Sequence, residues 1–280
     1  MSERPVIAVG AVGGSGTRVV AQILREAGVF LGNDLNGAYD NLVFTRLFRN
    51  PDWHATATEA QKKARFELFQ RYMSSGHLTW KDRMALVKAA SRNKNFRSDR
   101  RFYARTLLSS RRRHNKFDRW GWKEPNTQIY IEDIARFIPG VRYIHVLRHG
   151  LDMAFSGNRR QLRSWGHLYD VHYEKGDSGD ELASKMFRYW LRSTQTSIKM
   201  ARTFLDGKHH IIRYEDLCKY PDRELRTLLE FCELEVDEEK FTEILKLPQL
   251  PQSSGRYLDH DLNFLENRDI ESLEELGYAV

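Results

Sequence analysis

Apolar residues follow two rhythms along this chain, and the changes from one to the other mark its elements. PVIAV at residues 5–9 is a short, nearly continuous apolar run, which predicts a buried strand. After the stretch VGGSGTR, Val19, Val20, Ile23, Leu24 and Ala27 recur at three- and four-residue spacing until Gly28, the pattern of a helix with a C-terminal stop. RWGWK (about 119–123) and VRYIHVL (141–147) predict two further strands, with a helix over about 128–138 closed by Pro139 and Gly140. Helical spacing returns over roughly 180–206, HHIIRY predicts a strand ending at Tyr214, and PDRELRTLLEFCEL predicts a helix with Pro221 in its first turn. Residues 53–115 carry Phe66, Phe69 and Tyr72 at helical spacing among Ala, Lys, Arg and Glu, which predicts a mostly helical insertion. Strands alternating with helices, the strands apolar nearly throughout, predict an α/β fold: a central parallel sheet with flanking helices. Nothing in the composition divides the chain, so a single domain over 1–280 is expected.

Composition narrows the function classes. At 41% hydrophobic and 12% aromatic residues the chain has the makings of an ordinary folded core, and no apolar stretch approaches the ~20 residues that cross a bilayer. The opening MSERPVIAVG enters its first strand without the basic start and apolar core of a secretory leader, so a cytoplasmic location is expected. Cys218 and Cys232 make neither a disulfide framework nor a paired CxxC, and the ten histidines form no HExxH, so no metal is expected. A net charge of +7 favours anionic partners.

The glycine loop narrows them further. In VGGSGTR, Gly13, Gly14 and Gly16 let backbone N–H groups approach an anion, and Ser15, Thr17 and the start of the helix add donors and a favourable dipole. The same glycines also suit a tight strand-to-helix turn with no ligand. The ATP loop GxxxxGK[ST] fails here: Ala11 replaces its first glycine, and Thr17 stands at its lysine. GxGxxG fails too, at Val19. A second stretch, RHGLDMAFS, puts Arg148 at the end of a strand and Ser156 eight residues on, about two turns into a predicted helix. Arg148 there is placed either to clamp a second phosphate or to serve a surface ion pair.

Together these stretches resemble the sulfotransferases that use 3′-phosphoadenosine 5′-phosphosulfate (PAPS), a P-loop nucleoside-triphosphate-hydrolase-like fold. GGSGTR is similar to their 5′-phosphosulfate loop, and R-H-G-L-D-M-A-F-S to their 3′-phosphate motif R-D-P-x-D-x-x-x-S, with Asp152 also on the pattern. GWKEPNT resembles their lysine-bearing strand end, which implies Lys123 near the transferring group. IIRYEDL implies Tyr214 near the adenine, and SSGRY implies that Ser254, Gly255 and Arg256 return to the 3′-phosphate. Gly14 stands where many members carry Lys or Arg, and Arg18 where many carry a second Thr; Arg18 or Lys123 is expected to supply the missing charge.

The resemblance implies PAPS as co-substrate, no metal, and a small-molecule or glycan acceptor offering a hydroxyl or amine, without nucleic acid. Asp34, soon after the first helix, is favoured as general base over Glu124, which with Asn126 follows the lysine strand; Asp after glycine is also an ordinary turn residue. Trp120 and Trp122 are expected in the core, and Trp165 and Tyr169 near an acceptor site. Arg92–Lys116 holds ten Lys/Arg against Asp99 alone, either a solvated face or a groove for an acidic acceptor. An ATP-dependent small-molecule kinase and a non-catalytic polyanion-binding protein are the alternatives.

Overall fold

A computed structural model describes residues 4–75, 78–92 and 119–279; most of the basic stretch Arg92–Lys116 lies outside them. In chain order the elements are β1 (Val6–Gly10), α1 (Thr17–Glu26), β2 (Val29–Phe30), α2 (Leu42–Phe48), α3 (Pro51–Thr56), α4 (Glu59–Ser74) and α5 (Trp80–Arg92). Next come β3 (Arg119–Lys123), a 3-10 turn at Pro125–Tyr130, α6 (Ile131–Phe137), β4 (Val141–Leu147), α7 (Gly150–Ala154), α8 (Arg160–Trp165) and α9 (Gly179–Phe204). The chain continues through β5 (His209–Arg213), α10 (Tyr214–Lys219), α11 (Pro221–Phe231), α12 (Glu238–Ile244) and α13 (Asn267–Glu275).

The five strands form one sheet in the order β2-β3-β1-β4-β5, every neighbouring pair parallel. β1 is central and buried along its whole length, which is why PVIAV shows no polar alternation. Its side chains divide between two cores. Val6 and Ala8 join Trp122, Tyr143 and the aromatic packing of α2, α4 and α9, while Ile7 and Val9 join Ile144, Val146 and Ile212 beneath α1, α11 and α12. Among the described residues no helix is long and apolar enough to cross a membrane.

Two expectations are corrected by tertiary contacts. The helix after Arg148 stops at Ala154, because Phe155 leaves it to stack on His260 with ring centroids 3.9 Å apart, so Ser156 lies beyond the helix end. Trp165 is fully buried, edge-on to His54 and Tyr130, and Tyr169 lies edge-on to Tyr189, so both aromatics belong to the core. Trp122 is core as expected, with Trp120 stacked on it at 6.1 Å.

Parallel pairing puts the carboxyl ends of all five strands at one edge. From β1 the chain runs toward β2, and from β4 it runs the opposite way to β5, so a crevice opens between the ends of β1 and β4. The site is built there.

Candidate active site

The loop leaving β1 is shaped by backbone geometry. Gly14 and Gly16 have φ of 106° and 90°, where an L side chain is strained, and a Cβ on Gly16 would lie 2.1 Å from the Tyr214 ring. α1 starts with no side-chain cap and no acid in its first turn, so its orphan N–H groups and positive dipole end stay open to an anion. Ser15 is buried with its hydroxyl unpartnered; Thr17 is buried too, and Arg18 is exposed on the same turn. Gly13 behaves differently from its neighbours: its N–H donates to Gln161 Oε1 at 2.5 Å.

Across the crevice, Arg148 leaves the end of β4 only 6% exposed. It donates to the Gly14 carbonyl at 3.3 Å, to Asp152 at 3.3 Å and to Ser253 Oγ at 2.9 Å, joining the glycine loop to the tail. Asp152 also accepts from the Gly255 N–H at 3.2 Å, and Arg256 donates to the carbonyls of Ser253 (3.0 Å) and Phe155 (3.4 Å), beside Ser156. Burial, and then the Arg148 charge, hold the Arg256 guanidinium below its usual range. Arg148 Nε, Asp152 Oδ1 and Ser254 Oγ are buried without partners. Two guanidiniums that feel each other, and several polar atoms left without hydrogen bonds, are what an anion-binding cradle requires.

On the β3 side a cavity of about 110 Å³ is lined by Gly13, Asp40, Arg49, Glu124, Arg160 and Gln161, among others. Glu124 follows directly on β3. It accepts from the Asn126 backbone N–H at 2.6 Å and side-chain amide at 2.8 Å, and from Thr45 at 3.4 Å. Burial, and then the Asp40 carboxylate, push its carboxyl up to about 7. Asn126 Oδ1 in turn accepts from Gln161 Nε2 at 3.1 Å, so Glu124, Asn126, Gln161 and the Gly13 N–H form one hydrogen-bonded chain. A carboxyl titrating near neutrality at the wall of a cavity, wired to the glycine loop, is suited to move a proton.

A family model described as the sulfotransferase family matches residues 5–238. The chain belongs to this family. No curated protein sequence matches it. Among solved structures, the sulfotransferase domain from the curacin biosynthetic pathway is similar, with 14% identity, a TM-score of 0.53 and 99% of each chain covered. The sulfotransferase domain of the Synechococcus PCC 7002 olefin synthase shares 14% identity at a TM-score of 0.51, covering 99% of this chain and 96% of its own. A Mycobacterium avium sulfotransferase shares 15% identity at 0.50, covering 99% and 76%. These likenesses speak for the sulfotransferase fold.

Within this sulfotransferase, the structure gathers Gly14–Arg18, Arg148 and Ser253–Arg256 at one crevice, but it gives several expected residues other surroundings. Lys123 is 2% exposed, and its ammonium donates to Asp40 at 2.5 Å and to the Ala38 carbonyl at 2.9 Å; it anchors the 38–40 segment. Asp34 is buried in an ion pair with Arg46 and is not among the residues lining the cavity beside the loop. Its carboxylate is taken up by the Arg46 guanidinium, which leaves it poorly placed to meet an acceptor hydroxyl. Tyr214 packs its ring on Gly16 and donates its hydroxyl to the Gln249 carbonyl at 2.9 Å, so it holds the loop from behind. Ser156 Oγ accepts from the Asn158 N–H at 3.2 Å. Asp40, Arg49, Arg160 and Gln161 escaped the sequence reading. Arg160 and Gln161 left a trace, side by side in the run NRRQ shortly after Ser156.

Proposed function

We propose that this sulfotransferase transfers a sulfuryl group from PAPS to an acceptor hydroxyl, with Glu124 as general base. The observation that carries the reading is Arg148, which bridges the glycine loop and the tail beside a second guanidinium, Arg256, with Asp152 between them. Such a cradle suits a nucleotide with two separate anionic ends.

PAPS, when bound, supplies the sulfuryl group and an adenosine 3′,5′-bisphosphate leaving group. The open N–H groups at the start of α1, with Ser15 and Thr17, hold the 5′ end. Arg148, Arg256, Ser254 and Ser156 hold the 3′-phosphate. Arg18 supplies positive charge where many relatives carry it at the position of Gly14. Glu124 takes the acceptor hydroxyl proton as the acceptor oxygen bonds to sulfur and the bond from sulfur to the phosphate oxygen breaks. Asn126 and Gln161 fix the position of Glu124 relative to the loop.

Thermal shift separates the readings. Adenosine 3′,5′-bisphosphate is expected to raise Tm strongly, while ATP with magnesium and heparin leave it nearly unchanged. Selective stabilisation by ATP would replace this reading with a kinase, and stabilisation by heparin alone with a polyanion-binding protein.

A further inference from the structure

Resting on Glu124 as the base, the loop that shares its cavity gains a role of its own. Residues 36–41 fold tightly against the carboxyl end of β3. Asn36 Oδ1 accepts from the Ala38 and Asp40 N–H groups at 2.8 and 2.9 Å, and the Arg25 guanidinium of α1 lies over the Tyr39 ring, 4.6 Å from its centroid. The Asn41 N–H donates to the Lys123 carbonyl at 2.8 Å, which sets Asp40 alongside Lys123 and Glu124. Both carboxylate oxygens of Asp40 are then taken: Lys123 donates to Oδ1, and Asn36 Nδ2 to Oδ2 at 2.7 Å. Held on both oxygens, Asp40 neither turns away from the cavity nor competes for an acceptor proton.

The cavity is small, about 110 Å³, and Asp40 and Glu124 both line it. Among the described residues, the other charged or titratable groups around Glu124 are Lys123 before it, Tyr130 in the turn after it, Arg49 at the end of α2 and Arg160 of α8. Burial and then Asp40 raise the Glu124 carboxyl, while the Asn126 hydrogen bonds and Arg49 lower it, and the balance lies upward, at about 7. A carboxyl raised in this way holds a proton taken from an acceptor more tightly than an ordinary one. Lys123 is 2% exposed, a costly place for an ammonium unless its partner is needed there.

We infer that Lys123 and Asp40 are a positioning pair: the lysine, instead of touching the sulfuryl group, pins the Asp40 carboxylate beside Glu124 and so sets the pH at which the base becomes available.

Two readouts test this on the full chain. Carbon-detected NMR follows the titration of Glu124 Cδ, assigned by the signal missing from Glu124→Gln. Labelled sulfate released from PAPS to water follows the rate, as a water oxygen bonds to sulfur, the bond from sulfur to the phosphate oxygen breaks and Glu124 takes the proton. Asp40→Asn is expected to lower both midpoints by about one pH unit or more. Asp206→Asn, the same charge change in an exposed turn before β5, leaves both in place. Because Asp40→Asn strands a buried ammonium, a double variant, Lys123→Met with Asp40→Asn, removes both charges together, and the NMR midpoint is expected to fall there too. An unmoved NMR midpoint, or loss of folding in both variants, would reduce the pair to a structural tie while leaving Glu124 as the base. A midpoint that falls while sulfate release is indifferent to Asp40→Asn and to Glu124→Gln overturns Glu124 as the base, and this role of the pair with it.

Discussion

The two sides of the crevice are built by different means. On the donor side, Gly13–Arg18, Arg148 and Ser253–Arg256 each belong to a short contiguous motif, and local geometry does most of the shaping: positive φ at Gly14 and Gly16, an uncapped helix start, an arginine at a strand end. On the acceptor side, Asp40 and Arg49, Glu124, and the adjacent Arg160 and Gln161 come from stretches far apart in the chain and meet only in three dimensions. The donor side can therefore be read as a pattern, whereas the acceptor side exists only once the fold has formed. The donor side also concentrates positive charge, with the Arg148 and Arg256 guanidiniums around the single carboxylate of Asp152. The acceptor side holds a carboxyl at the pH where it exchanges protons.

The comparison is sharpened most by Glu124→Gln. Turnover is expected to fall about 10²–10⁴-fold with bisphosphate affinity unchanged, as measured by single-turnover transfer and calorimetry. In the parent protein, activity should rise with pH through about 7, because the base must be deprotonated, and the variant should lose that rise. Stability moves the other way. The folded-state pKa of Glu124 lies above its usual value of 4.5, so its ionisation costs the folded state nothing below that value and progressively more as pH rises to about 7. The variant should therefore be more stable than the parent at pH 8, by up to about 3 kcal/mol, and about equally stable at pH 4, as read by denaturant unfolding at the two pH values.

Arg148→Lys tests the donor side alone. It keeps the charge beside Asp152 but loses the planar fork that reaches Gly14, Asp152 and Ser253, and bisphosphate affinity should drop about 100-fold, roughly 3 kcal/mol. A drop below threefold would mean that Arg148 is structural. Gln161→Ala tests whether the sides are coupled: kcat is expected to fall about tenfold, with the pH midpoint displaced because Asn126 loses its partner. An unshifted pH profile would reduce Gln161 to packing. Asp34→Asn should change activity least. It weakens a buried ion pair and lowers Tm, yet the folded variant should turn over within about threefold of the parent. A loss matching that of Glu124→Gln would return the base to Asp34.

Legibility in the sequence followed the same division. β3 and β4 begin and end at the residues their runs predict, β1 nearly so, and α1, α9 and α11 start and stop within a few residues of their periodic patterns, because burial on both faces of a parallel sheet leaves an unbroken record in residue type. β2 was invisible, being two residues long, and α13 buries too few apolar residues to show a period. The surroundings of Asp34, expected as the base, are set by a long-range partner. Arg46 occupies its carboxylate from a helix that follows only after the 34–41 turns, and nothing in the spacing of FLGNDLNGAYD announces that partner. Lys123 is similar: its partner Asp40 lies 83 residues away. The elevated pKa of Glu124 comes from depth in the fold, which residue type does not encode.

The place of β1 in the sheet also bears on how the chain reaches this state in a cell. β1 is made before the other four strands of this sheet and is the central one, yet both its neighbours arrive late, β3 at Arg119 and β4 at Val141. At ribosomal speeds of ~5–20 residues per second, its apolar run waits on the order of ten seconds for a partner. Through that interval PVIAV is an unpaired, uncharged strand, which favours shielding by a chaperone and makes slow or overloaded synthesis the condition most apt to drive this enzyme into aggregates.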